Sequence, residues 1–276
     1  MSSTGADPIG VFDSGLGGLT VLKELMRVLP NERIIYLGDT ARVPYGNKSP
    51  QTVTRYSFEI TRYLLRRGIK LLIIACNTAS AYSMEAIQNS FSVPCLGVIK
   101  PGARAAVRHT RSGNVAVIGT SGTIASRAYP TAIADLTSGI VTHETACPLF
   151  VSLVEEGWVD NEVTEMVARI YLGPLSGKGI DTMILGCTHY PLLKGVISRV
   201  MGQEVRLVDS AEETTREAKA VLDAKGLLAP PAARGGYQIY VTDLPRQFTQ
   251  VATLFLGEER VPVEQVNLDE FMYDVH

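Results

Sequence analysis

The 276-residue sequence lacks a long hydrophobic run, an excess of charge of one sign and a secretory leader. Its longest apolar run covers residues 71–76, whereas a membrane-spanning helix needs about 20 apolar residues. The 26 basic and 28 acidic residues give a net charge of −2, and duplex-binding domains carry a strong basic excess. The first seven residues lack the basic-then-apolar pattern of a signal peptide. We therefore expect a cytoplasmic protein with no membrane and no nucleic-acid partner.

Cysteine and histidine are scarce, with four residues of each. No two cysteines form a Cys-x-x-Cys pair, which argues against a zinc site or a thioredoxin-like motif. In a reducing compartment we expect all four to be free thiols. The 46% hydrophobic and 20% charged residues are typical of a folded chain, and the length predicts one large domain or two small ones.

Short aliphatic runs alternate with helical patterns along the chain, which predicts an α/β fold with parallel strands. Because the runs are continuous rather than alternating, we expect the sheets to be covered on both faces. The predicted strands are residues 8–12, 33–37, 70–75, 93–98, 114–118, 139–143, 182–185 and 204–208, with 239–242 as a possible ninth. The predicted helices are residues 19–29, 51–67, 80–89, 101–109, 162–171, 192–201 and 211–225.

The second half of the chain repeats a pattern of the first. Residues 71–78 correspond to residues 182–189, and residues 9–15 correspond to residues 115–122. Each segment is a buried strand that ends in small polar residues before a helix. Two similar lobes would bring these loops face to face, although strand–helix junctions in unrelated α/β proteins also look alike.

The loop at residues 13–18, Asp-Ser-Gly-Leu-Gly-Gly, is the first candidate for chemistry. Its glycines let the backbone approach a ligand, and free N–H groups at a helix start favour an anion. A dinucleotide fingerprint would need glycine or alanine where Thr20 stands, although Asp39 lies where a ribose-binding acid belongs. Asp13 would also repel a pyrophosphate. A nucleotide-dependent oxidoreductase therefore stays a minor alternative.

Cys76 and Cys187 each follow a buried strand and precede a polar segment that starts a helix. This is the sheet edge at which open α/β proteins bind ligands. A helix N-terminus lowers the pKa of a thiol, so we expect both to be reactive. For Cys95 and Cys147 we expect the ordinary role of a small buried hydrophobe. His189 is the only histidine in a polar motif, where a capping or packing role is the alternative.

Six segments together resemble the aspartate/glutamate racemase superfamily. They are residues 10–18, 44–46, 75–80, 117–120, 185–191 and 208–210. The resemblance implies two pseudo-symmetric α/β lobes, each a mostly parallel sheet flanked by helices, with the active site between them. We expect residues 1–98 and 209–276 in the first lobe and residues 99–208 in the second.

The resemblance implies cofactor-independent conversion of L-glutamate to D-glutamate for peptidoglycan, by a homodimer that holds no metal. It makes Cys76 and Cys187 the two acid/base residues, supported by Asp13, His189 and Glu155. The substrate contacts that it implies are Asp13, Ser14, Pro44, Tyr45, Gly46, Asn77, Thr78, Thr120, Thr123, Thr188 and His189.

Two cysteines suit this chemistry, because inverting an α-carbon needs a proton removed from one face and another delivered to the opposite face. Pocket depth would decide between glutamate and aspartate, so an aspartate racemase remains an alternative. A two-lobed binding protein that holds an amino acid without exchanging its α-hydrogen also remains open.

Overall fold

A computed structural model describes residues 4–244, 248–257 and 261–271. These residues form two parallel sheets flanked by helices, which confirms the predicted α/β class. The strands of the first sheet are β1 (Ile9–Asp13), β2 (Arg33–Gly38), β3 (Leu71–Ile74), β4 (Cys95–Gly97), β9 (Gly236–Val241) and β10 (Val263–Gln265). Those of the second are β5 (Asn114–Gly119), β6 (Val141–Ala146), β7 (Thr182–Gly186) and β8 (Arg206–Asp209). The first sheet has the order β10-β9-β2-β1-β3-β4 and the second the order β6-β5-β7-β8.

Helices cover both sheets and also connect them. In chain order they are α1 (Leu19–Val28), α2 (Pro50–Arg66), α3 (Asn77–Ser90), α4 (Ile99–His109), α5 (Ser121–Ala125), α6 (Ala128–Ala134), α7 (Leu149–Glu155), α8 (Glu162–Leu172), α9 (Lys194–Met201), α10 (Ser210–Ala224) and α11 (Phe248–Leu256). Capping explains where several begin: Ser49 and Asn161 accept the backbone N–H groups of Thr52 and Thr164. No helix in the described part of the chain is long and apolar enough to cross a membrane.

All nine predicted strands are present, with ends shifted by up to three residues. Strands β1, β3 and β7 are buried along their whole length, as their continuous aliphatic runs predicted. Helices α5, α6, α7 and α11 and strand β10 were not predicted. Three of these helices have only five to seven residues, too few to show a helical period, and α11 has nine residues, of which six are apolar.

Each sheet has one point where the chain reverses its direction of winding. In the first sheet, β2 and β3 lie on opposite sides of β1; in the second, β6 and β7 lie on opposite sides of β5. Open α/β sheets bind ligands at the carboxyl ends of the strands beside such a point. The residues that follow β1, β3, β5 and β7 therefore occupy the two ligand-binding edges.

We call the six-stranded sheet with α1–α3 and α11 the first lobe, and the four-stranded sheet with α5–α9 the second. Helices α4 and α10 connect them, and α10 packs on both α1 and α4. One buried apolar cluster contains residues of both lobes, among them Leu25 of α1, Leu185 of β7 and Leu222 of α10. The residue boundaries of the two lobes stay a prediction.

Candidate active site

Cys76 lies directly after β3 and is the N-cap residue of α3. Its sulfur accepts the backbone N–H of Ala79 at 3.5 Å and donates to Oγ of Ser14, also at 3.5 Å. Ser14 follows β1, the strand next to β3, so the topology brings the two predicted site residues together.

Asp13 is the buried carboxyl group of this half of the site. It accepts the backbone N–H of Gly15 at 3.0 Å and the hydroxyl of Thr188 at 3.4 Å. Burial raises the pKa of Asp13, and the charge of His189 opposes this shift. Burial, assisted by the charge of Asp13, raises the pKa of Cys76 to about 12. The expected lowering of the Cys76 pKa is therefore wrong, because desolvation outweighs the helix N-terminus.

Cys187 follows β7 in the second lobe and has different partners. Its sulfur lies 3.7 Å from Nδ1 of His189, and Nε2 of the same ring lies 3.1 Å from Oε1 of Glu155. Burial by itself lowers the pKa of His189, but hydrogen bonds to Cys187 and Glu155 outweigh it and raise the value to about 10. The ring therefore links the Cys187 sulfur to the carboxyl group of Glu155.

Three threonine hydroxyls form a triangle across the lobe interface. Oγ1 of Thr78 lies 2.9 Å from that of Thr120 and 3.1 Å from that of Thr123, which are 3.1 Å from each other. Thr78 belongs to the first turn of α3, and Thr120 is the N-cap of α5. The triangle thus places two helix N-termini, one from each lobe, side by side.

Asn77 supplies a hydrogen-bond donor that the protein leaves unused. Its side-chain oxygen accepts the hydroxyl of Tyr129 at 2.7 Å, and that hydroxyl also lies 3.1 Å from Oγ of Ser210. The buried Nδ2 of Asn77 has no hydrogen-bond partner among the described residues. Since buried donors are almost always paired, this amide is available to a polar ligand.

The segment containing Pro44, Tyr45 and Gly46 lies at the rim of this region. A Cβ on Gly46 would come within 2.7 Å of the Cβ of Thr120, so only glycine allows this approach. Tyr45 is buried, but its hydroxyl donates to Asp39. The Tyr45 hydroxyl therefore already has a hydrogen-bond acceptor within the protein. Pro44 is exposed.

Asp13 and Asp39, the two acidic residues considered for a dinucleotide site, both accept hydrogen bonds from other groups of the protein. Asp13 accepts the N–H of Gly15, one of the loop donors that a pyrophosphate would require. Asp39 accepts from Arg42 at 2.8 Å and from Thr242 at 2.9 Å, in addition to Tyr45. The geometry therefore disfavours a dinucleotide in this loop.

The two other cysteines behave as expected from the sequence. All four are free thiols, and Cys95 and Cys147 are buried, which raises the pKa of each to about 12. Sequence reasoning missed Tyr129, which orients Asn77, and Thr20, whose hydroxyl lies 3.3 Å from the carbonyl oxygen of Thr188. Tyr129 lies in the unpredicted helix α6, so no motif marked it.

Comparison with known proteins shows the family of the chain. A family model described as Asp/Glu/Hydantoin racemase matches residues 9–218. The glutamate racemase of Geobacter metallireducens is 56% identical, over 95% of this chain and 97% of its own. The crystal structure of glutamate racemase from Francisella tularensis in complex with D-glutamate is 40% identical, with a TM-score of 0.91 over 96% of this chain and 99% of that one. An aspartate racemase from Picrophilus torridus, 18% identical over 80% of this chain and 94% of its own with a TM-score of 0.54, shares only the fold. The chain belongs to the Asp/Glu/Hydantoin racemase family.

Proposed function

We propose that this protein interconverts L- and D-glutamate by proton transfer between Cys76 and Cys187, without a cofactor. The observation that carries the proposal is the pair of thiols at the ligand-binding edges of the two sheets, each with its own ionisable neighbour. Thr188, the residue after Cys187, donates to Asp13 at 3.4 Å, and this contact between the two halves of the site supports an arrangement in which both sulfurs serve one substrate.

In this mechanism one sulfur acts as the base and the other as the acid. Cys187, whose sulfur contacts Nδ1 of His189, acts as the base and takes the α-proton of one enantiomer. The electron pair stays on the α-carbon, and the Cys76 thiol delivers its proton to the opposite face. In the reverse direction Cys76 is the thiolate, and the hydroxyl of Ser14 and the N–H of Ala79 stabilise its charge.

Fixed donors would stabilise the substrate and the carbanion. The free amide of Asn77 and the N-termini of α3 and α5 suit carboxylate oxygens. The threonine triangle adds Thr78, Thr120 and Thr123, and Thr188 adds a hydroxyl beside Asp13. Such preorganised donors act most strongly in a buried site, where water does not compete.

Exchange of the α-hydrogen in deuterated water tests the proposal. With L-glutamate and no added cofactor, we expect D-glutamate to carry deuterium at the α-carbon at a few per cent conversion, while recovered L-glutamate keeps its hydrogen. D-glutamate should give the mirror result, and L-aspartate should react much more slowly. The similarity of this chain to glutamate racemases supports glutamate, and the comparison of the two substrates separates it from aspartate.

Two results would contradict the proposal. Binding of glutamate without α-exchange would make the protein a binding module. Early label in recovered substrate would indicate that one base serves both faces.

We also propose that the protein supplies D-glutamate for peptidoglycan in the cytoplasm and acts as a homodimer, as the resemblance implies. Expression should relieve the D-glutamate requirement of an auxotrophic bacterium, whereas the Cys76→Ala variant should not. Sedimentation equilibrium should give twice the chain mass. A monomer that is fully active would contradict the homodimer.

A further inference from the structure

His189 is contacted by a residue that the proposed mechanism does not use. Phe255 of α11 packs edge to face on the imidazole, with ring centroids 5.5 Å apart and planes at 87°. Phe255 is buried and lies in the first lobe, whereas Cys187, His189 and Glu155 all lie in the second. We propose that Phe255 is a positioning residue that holds the His189 imidazole against Cys187 and Glu155, an inference that rests on the proposed function of this pair.

A second segment of the first lobe also limits the position of this ring. A Cβ on Gly17, in the loop between β1 and α1, would come within 2.5 Å of Cε1 and Nδ1 of His189 and would also collide with Oγ1 of Thr188. The imidazole therefore has the backbone at Gly17 and the ring of Phe255 as first-lobe neighbours. Its own two nitrogens bind second-lobe groups.

This arrangement makes the proton-transfer geometry depend on contact between the lobes. An imidazole in a plain apolar pocket can tilt about its Cβ–Cγ bond, whereas an edge-to-face ring pair favours one ring plane. A tilt would lengthen the 3.7 Å contact between Nδ1 and the Cys187 sulfur. The charged groups that face the ring are Cys187 and Glu155 from its own lobe and Asp13 from the first lobe.

The chain contains a matched control for this contact. Phe150 of α7 is also buried and packs edge to face on Tyr190, with centroids 5.3 Å apart and planes at 88°. Phe150 also packs edge to face on Tyr171, so Phe150→Leu removes the same ring from at least as many aromatic contacts as Phe255→Leu. Only Phe255→Leu removes it from His189.

The experiment measures the alkylation rates of Cys187 and Cys76 by iodoacetamide and peptide mass spectrometry, together with an NMR titration of the His189 ring. In Phe255→Leu we expect Cys187 to react about tenfold more slowly and the His189 pKa to fall, while Cys76 is unchanged. The kcat for glutamate should fall about 10- to 100-fold with little change in KM. Phe150→Leu should leave the Cys187 alkylation rate within about twofold of wild type.

Two outcomes would overturn the inference. One is a folded Phe255→Leu protein with wild-type Cys187 alkylation and His189 titration; the other is an equal loss in both variants, which would make Phe255 a packing residue only. If Phe255→Leu does not fold, Phe255→Met provides the same comparison with a flexible side chain of similar size. Alkylation and titration need no turnover, so they test Phe255 even if the substrate assignment fails.

Discussion

Cys76 and Cys187 occupy corresponding strand ends in the two lobes, yet their surroundings are opposite in chemical type. Cys76 lies beside a buried carboxyl group, Asp13, whereas Cys187 lies beside the His189 imidazole, whose other nitrogen contacts Glu155. The two cysteines are almost equally buried, with 6% and 7% of their surface exposed. Their polar neighbours, rather than their exposure, therefore distinguish them. A repeated backbone pattern has produced two thiols with different hydrogen-bond partners.

The largest effect on the rate of racemisation should come from removing the thiol of Cys76 or of Cys187. Cys76→Ala and Cys187→Ala should each lower racemisation by about 10³-fold or more, because each removes the only group for one face of the substrate. Cys95→Ala and Cys147→Ala remove buried thiols outside the site and should retain most activity when all four variants are compared by optical rotation. Near-normal turnover in either of the first two variants would contradict the two-cysteine assignment.

The neighbours of the thiols should show the difference between the two halves. His189→Asn and Asp13→Asn should each lower kcat about 10- to 100-fold. Because the enantiomers have equal free energy, kcat/KM must remain equal in both directions for every variant. The asymmetry should instead appear as an α-deuterium isotope effect that increases for one enantiomer in His189→Asn and for the other in Asp13→Asn. An increase for the same enantiomer in both variants would show that the two residues do not serve separate thiols.

The free protein should already show the asymmetry in its thiol reactivity. Since the pKa of Cys76 is raised to about 12, iodoacetamide at pH 8 should modify Cys187 at least about tenfold faster than Cys76. The nearly equal exposure of the two sulfurs removes access as an explanation. Peptide mass spectrometry measures both rates in one sample, and faster labelling of Cys76 would reverse the assigned roles of base and acid.

The smallest effect should appear in the pH dependence of stability. The pKa of His189 is about 10 in the folded protein and about 6.5 in the unfolded chain. The folded state therefore binds more protons between these values, and its stability falls as the pH rises from about 6.5 to 10. We expect His189→Asn to lessen the fall in Tm across this range by about 2–4 °C. His143→Asn, which removes a half-buried histidine whose pKa is lowered, should keep the wild-type slope.

The sequence predicted the parallel sheets and their ligand-binding edges because buried parallel strands are continuous aliphatic runs. It therefore located Asp13, Cys76, Thr120 and Cys187 at strand ends. It could not predict the raised pKa of Cys76, because a helix N-terminus is visible in sequence whereas the depth of burial is not.

Other parts of the site depend on contacts between distant segments. Glu155 is 34 residues from His189, and only the resemblance connected the two. Phe255 lies in α11, which the sequence analysis did not predict, and an apolar side chain gives no sign in sequence that it contacts a histidine.

The insertion of the second sheet within the first has a consequence for biosynthesis. Arg33 of β2 pairs with Gly236 of β9, so the whole four-stranded sheet leaves the ribosome before this pairing can form. Until then β2 is an open strand edge, and such an edge can pair with another chain and cause aggregation. Helix α11 emerges later still and brings Phe255 to His189. The nascent chain therefore holds Cys76 and Cys187 long before α11 completes the surroundings of His189.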